Sequence, residues 1–303
     1  MRKLTTIVLS FMLGMSLLTA CSTDPPAGPP AGGDEVGTSS DFDTNRAITV
    51  ISREDGSGTR SAFIELFGVQ STDADGKKRD NTTKEAIIAD KTDVMIANVT
   101  NDPYAIGYIS MGSLNDSVKP LSIGGVAPTA ANVKNGSYPI QRPFMIATKG
   151  EATGLAKDFI DYILSADGQA VVESKGYIAV NTGAAAYAGA KPSGRIVVGG
   201  SSSVTPLMEV LRERYLQVNP NAVIEIQMSD SSAGMAGTMD GTFDIGMASR
   251  ELKEAEATEL IGTEIALDGI AVIVNQANPL SAVSQEQVKA IYTGQAVLWS
   301  DIR

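Results

Sequence analysis

Three short segments rich in glycine, serine and threonine each stand between a β-rich run and a helical pattern, and this repeated arrangement narrows the fold more than any other feature of the chain. Arg53–Thr59 (REDGSGT) leads into a helix at Arg60, Gly199–Thr205 (GGSSSVT) into a helix at Pro206, and Ser229–Gly234 (SDSSAG) into a short helix through Met239. Backbone N–H groups at a helix start have no partner inside the helix and carry partial positive charge. Glycine lets the backbone come close to a ligand, and serine or threonine hydroxyls add short donors. Such a turn can hold a small anion without a cationic protein around it. A single turn of this kind is explained by N-capping alone. Three of them, one headed by the planar fork of Arg53, point to an oxyanion held by several chain segments. Asp55, two residues beyond Arg53, is placed to orient that fork.

Between these turns the pattern keeps alternating. Ile48–Ser52, Ala105–Ser110, Phe144–Thr148, Ile196–Val198, Val223–Gln227 and Ile270–Val274 read as strands. Thr59–Gly68, Leu155–Ser165, Pro206–Val218 and Ser284–Tyr292 read as helices, the first ended by its glycine and the last opened by a Ser284–Gln287 capping pair. Asp244–Arg250 places Ser249 and Arg250 at the end of a further strand. Strands alternating with helices indicate an α/β architecture, and a body running from Arg46 to Arg303 suits two lobes better than one compact domain.

What the chain lacks bears on its chemistry. The 303 residues include no histidine, which removes histidine bases, Ser–His relays and histidine-ligated metals. The one cysteine removes a disulfide framework and a zinc ribbon. A formal net charge of −11 disfavours nucleic acid or an acidic membrane surface as a partner. No Gly-x4-Gly-Lys-Ser/Thr loop occurs, and the serine-rich turns carry no Gly-x-Ser-x-Gly elbow. A surface phosphatase would need a nucleophile with its base, or a carboxylate metal cluster, and the turns offer neither. The expectation is reversible binding, with no cofactor, no metal and no catalytic residue.

Residues 1–20 open with Arg2 and Lys3 and run apolar from Ile7 to Ala20, too short for a comfortable membrane span. They read as a signal peptide, and Leu18-Thr19-Ala20-Cys21 resembles a bacterial lipobox, in which Cys21 is lipid-modified. An ordinary secretory leader with an incidental free thiol is the alternative. Residues 21–45, with four prolines and little bulky apolar content, read as a flexible tether. The expected location is the extracytoplasmic face of the cell membrane, held by lipid.

Several segments together resemble the phosphate-binding lipoproteins of bacterial ABC uptake transporters: GGSSSVTP, SDSSAGM, DIGMASREL, ALDGIAVIVN, AIYTGQAVLWSDI and ITVISREDGSGTRSAF, with IGYISMG and RPFMIATKG. The likeness spans nearly all of Arg46–Arg303. It implies a two-lobed type II periplasmic-binding fold with a two-segment hinge that closes over inorganic phosphate and hands it to permease subunits. It implies phosphate ligands at Arg53, Ser57, Gly58 and Thr59, at Ser203 with the amide of Val204 (or, one residue on, Val204 and Thr205), and at Ser231. Ser249 falls where some members carry an aspartate that accepts a proton from phosphate. A serine can donate as well as accept, which leaves another oxyanion such as sulfate as a rival ligand, with Asp55 or Asp230 as substitute acceptors. A surface sensor or adhesin that keeps the fold is a further alternative. The segment order also departs from the family: REDGSGT comes first here and the chain stops at WSDIR, so the sequence looks circularly permuted with its join between Ala185 and Gly194. The hinge crossings then fall near Tyr138–Thr148 and Ala266–Asn275. Lobe A is 139–269, and lobe B is 46–138 plus 270–303.

Overall fold

A computed structural model describes residues 42–302; the leader, Cys21 and nearly all of the tether read from the sequence lie outside the described residues. The main sheet is built from β1 (Thr49–Arg53), β2 (Ile87–Ala89), β3 (Ala105–Ser110), β4 (Val118–Pro120), β5 (Gln141–Thr148), β6 (Gly194–Ser201), β7 (Ala222–Ser229), β8 (Ile245–Ala248) and β9 (Ile261–Asn275). Its order is β7–β6–β8–β5–β9–β3–β1–β2, with β4 also on β9. The helices that matter for the site are α1 (Gly58–Leu66), α2 (Thr92–Asn101), α3 (Gly154–Leu164), α4 (Thr205–Val218) and α5 (Ser231–Met239), with α6 (Gln285–Tyr292) behind.

The two largest hydrophobic clusters divide this sheet. One gathers Phe63, Tyr108, Tyr138, Ile140, Ile270, Val272 and Trp299; the other gathers Phe144, Phe159, Leu211, Tyr215, Ile245 and Ala266. The change from one core to the other falls between Ile140, just before β5, and Phe144 on it, and between Ala266 and Ile270 on β9. These two strands are antiparallel neighbours there, pairing Gln141 with Gly269 and Arg142 with Asp268. Beyond that point β9 pairs with β3, Ile270 opposite Ser110. The result is a two-lobed α/β fold whose lobes share one sheet.

The local signals explain the element ends. Ser57 caps α1 by accepting from the N–H of Arg60, and Gly68 beyond the helix takes the left-handed conformation (φ 64°) that glycine tolerates. Asp230 caps α5 through the N–H of Ala233, and Ser284 with Gln287 forms the capping box of α6. The segment Ala185–Gly194, expected as a loop, is irregular up to Ser193. It is pinned by buried Asp158 of α3, which accepts from Tyr187 Oη, Tyr215 Oη (2.7 Å) and the N–H of Ala190 (3.0 Å). At the other end of the body, Ala47 and Leu298 form an antiparallel bridge. Ser300 N donates to Thr44 O at 2.7 Å, so the start of the body and its last residues lie side by side.

Candidate functional site

The carboxyl ends of β1, β6, β7 and β8 all feed this site: Arg53 ends β1, Ser201 ends β6, Ser229 ends β7, and Ser249 follows β8. In open α/β sheets the crevice outside the strand carboxyl ends is where ligands bind. Here the helix starts after β1, β6 and β7 meet across the gap between the two cores.

Arg53 is 2 % exposed and is fixed from several directions. Its backbone N–H donates to Tyr108 Oη at 3.0 Å, and Tyr108 stacks on Phe63 at 3.8 Å, so core packing sets where β1 ends. Nε donates to Glu54 Oε2 (2.8 Å) and to the carbonyl of Ala89 (3.2 Å), and Nη2 donates to Glu54 Oε1 (2.8 Å). The far end of the fork reaches across the gap: Nη2 donates to Ser202 Oγ at 2.9 Å. Burial holds the Tyr108 phenol above its ordinary range, so it stays a neutral hydroxyl beside the guanidinium.

Other bonds cross the same gap. Thr59 Oγ1 and Ser203 Oγ are 2.8 Å apart, and the N–H of Ser232 donates to the carbonyl of Gly56 at 3.2 Å. A Cβ at Gly58 would stand 2.5 Å from Ser231 Oγ and 2.7 Å from Ser249 Oγ, so the close approach of α1 to the opposite lobe requires glycine. On that opposite side Ser201 donates to Ser249 at 3.0 Å, and the N–H of Ser249 donates to Ser231 Oγ at 3.1 Å. Gly200 lets β6 pass close to its neighbours, since a Cβ there would meet the backbone of Met247.

The expected site residues are thus distributed unevenly. Arg53, Gly58, Thr59, Ser203, Ser231 and Ser249 are brought together. Ser57 lies beside them but spends its hydroxyl as the α1 cap. Val204 is buried and its N–H is used within its own turn, donating to Ser201 O at 3.0 Å; the Thr205 hydroxyl donates to the same carbonyl at 3.0 Å. The turn closing on Ser201 points residues 202 and 203, rather than 203 and 204 or 204 and 205, across the gap. Asp55 does not orient Arg53. The Ser57 N–H to Glu54 O bond (3.0 Å) reverses the chain, leaving Glu54 on the fork and turning Asp55 outward to pair with Arg60 at 2.7 Å.

Some participants have no site role legible in the sequence, although Arg250 is placed there at a strand end. Thr92, at the start of α2 and 4 % exposed, has its Oγ1 3.4 Å from Arg53 Nη1, Ser202 Oγ and Ser203 Oγ. Arg142 donates from Nη1 to the carbonyl of Ser249 at 3.2 Å while its Nη2 pairs with Asp268 at 3.1 Å, both side chains buried. Arg250, also buried, is held by both oxygens of Glu256 at 2.7 and 2.8 Å. Each of these three arginines therefore has its own carboxylate. Among the described residues, no group of three or more acidic or cysteine side chains is placed to hold a metal ion.

A family model described as a PBP superfamily domain matches residues 38–167 and 185–302. Phosphate-binding protein PstS 2 of Streptococcus agalactiae is 47 % identical over 303 residues, 99 % of this chain and 98 % of that one. An alignment of this span gives both chains the same segment order. The crystal structure of a phosphate-binding protein of a phosphate ABC transporter from Streptococcus pneumoniae TIGR4 is 44 % identical, with a TM-score of 0.68 over 85 % of this chain and 100 % of that chain. Phosphate-binding protein PstS of Bacillus subtilis is 43 % identical over 140 residues, 45 % of this chain and 43 % of that one. The chain belongs to the PBP superfamily and, within it, to the family of these phosphate-binding PstS proteins.

Proposed function

We propose that this chain captures inorganic phosphate between its lobes and delivers it to the permease of a phosphate ABC transporter. The observation that carries the reading is the cross-lobe cluster: one guanidinium end, four helix starts and a ring of hydroxyls converge where Gly58 meets Ser231 and Ser249. Arg53, Gly58, Thr59, Ser203, Ser231 and Ser249 bind the anion in this reading, with Ser202 and Thr92 beside them and Ser57 and Val204 shaping the turns. Lobe B is 46–138 with 270–303, and lobe A is 139–269. The change of core on β5 and β9 supports that division.

The leader and Cys21 support a lipid anchor on the extracytoplasmic face, the body working in solution beside its permease. The rearranged segment order draws its support from the Ala47–Leu298 bridge and from the pinned Ala185–Gly194 loop, where older ends would join. The Streptococcus agalactiae relative aligns end to end with this chain, so the order proposed as rearranged is one the two share.

Calorimetric titration tests the ligand. Phosphate is expected to bind with arsenate close behind and sulfate far weaker; a chain that ignores phosphate refutes the reading. A second test uses the close approach at residue 58. Overpacking a tight contact costs about 1–3 kcal/mol, so Gly58→Ala is expected to weaken phosphate roughly tenfold by propping the lobes apart. Gly58 is the first residue of α1, where the swap alters helix propensity far less than it would in a helix interior. Thermal melting without ligand should therefore change little while titration shows the loss.

A further inference from the structure

The phosphate reading leaves one chemical demand unmet. At neutral pH hydrogen phosphate and sulfate are both tetrahedral dianions of similar size, so charge and shape hardly separate them. The difference is a proton: hydrogen phosphate carries an O–H that needs an acceptor, and sulfate carries none. The cluster is rich in groups that donate or can turn to donate: Arg53, the helix starts, and the hydroxyls of Thr59, Ser202, Ser203, Ser231 and Ser249. Ser249 is one more hydroxyl, already accepting from Ser201 at 3.0 Å, and would serve either anion.

We propose that Glu54 is the residue that selects a protonated tetrahedral anion. Its carboxylate lies along the side edge of the Arg53 guanidinium, Oε2 on Nε and Oε1 on Nη2, both at 2.8 Å. The same Nη2 reaches Ser202 across the gap, so the carboxylate and the cleft serine share one nitrogen of the fork. An ionised carboxyl has four lone-pair sites and only acceptor character, so two remain after the Arg53 pair. Hydrogen phosphate can donate into one of them. Sulfate can only place an oxygen against that negative charge. Asp230, the other acidic side chain expected near the site, faces Gly56 and spends Oδ1 on the N–H of Ala233 as the cap of α5. This assignment rests on the phosphate reading and deepens it.

The test titrates wild type, Glu54→Gln and Asp230→Asn with phosphate, arsenate and sulfate. Glutamine keeps the size and one acceptor for Arg53 but removes the charge and turns an NH2 toward the anion. Phosphate and arsenate are expected to weaken about tenfold, the worth of one charge-assisted bond, while sulfate tightens by a similar factor. A gain of sulfate binding cannot come from a misfolded protein. Parallel weakening of all three anions would reduce Glu54 to holding Arg53 in place, and an unchanged selectivity ratio would overturn the proposal outright. A shift of the ratio in Asp230→Asn instead would move the acceptor there. If wild type binds no phosphate, it is the function that fails, before Glu54 is reached.

Discussion

Arg53→Ala is expected to lower phosphate affinity by about a hundredfold or more, the largest binding loss of any single change in the site. The fork supplies directed N–H groups to the cleft, and a hydrogen bond involving a charged group is worth about 1.5–3 kcal/mol. Two such bonds reach the stated factor at about 1.4 kcal/mol per tenfold. The loss is compounded by what remains: without Arg53, Glu54 stays beside the anion as an uncompensated negative charge. Arg53→Lys keeps the charge but not the planar fork, and should fall between wild type and alanine. The bond from Tyr108 to position 53 runs through the backbone N–H and survives both changes, so thermal melting should show the fold intact. Titration that finds the alanine variant within a factor of three of wild type would remove Arg53 from the site.

Arg142→Met should have the largest effect on stability, and the effect should depend on pH. Arg142 and Asp268 are buried partners on neighbouring strands, where the chain passes between cores. Burial pushes the Asp268 carboxyl up to about 6, against the pull of Arg142, Ser110 and the Gly112 N–H, which lower it. An unfolded aspartate titrates near about 3.9, so the folded chain holds this proton more tightly. The stability this group contributes is full below about pH 4 and is lost as pH rises through 6. Removing Arg142 takes away a lowering influence and pushes the carboxyl higher still. The variant therefore goes on losing stability above pH 6, at about 1.4 kcal/mol per pH unit. Its deficit should be small at pH 5 and reach about 3 kcal/mol by pH 8, within the range for breaking a buried pair. Denaturant unfolding at both pH values checks this, and a deficit that does not change with pH would show that the pair is not what matters.

How far the sequence carried can be read from single residues. The glycine–serine turns were legible because the physics of a helix start is local: a capping side chain, a glycine and hydroxyls within a few positions suffice. Within a turn, the direction of each side chain depends on where the chain reverses. Spacing suggested Asp55 for Arg53, and the reversal at Ser57 delivered Glu54 instead. The same limit moved the second turn from Ser203 and Val204 to Ser202 and Ser203. Thr92 was invisible for another reason. Its helix opens after Lys91, which provides no capping side chain, and its partners are more than a hundred residues away or at Arg53. Arg142 did leave a trace, as a lone charge at the head of the apolar run Pro143–Thr148, but only the pairing of β5 with β9 supplies Asp268 opposite it.

The passage of β5 and β9 between the cores has a mechanical meaning. A loop linker would let two bodies twist, slide and separate. Two antiparallel strands that stay hydrogen-bonded to each other while crossing resist sliding along their length, since every ladder bond would have to break together. They yield most easily by bending out of the sheet plane. The lobes thereby keep close to one degree of freedom, a jaw rather than a ball joint. Each closure returns Gly58 to the same two serines, so the cleft meets an anion as a gauge of fixed shape.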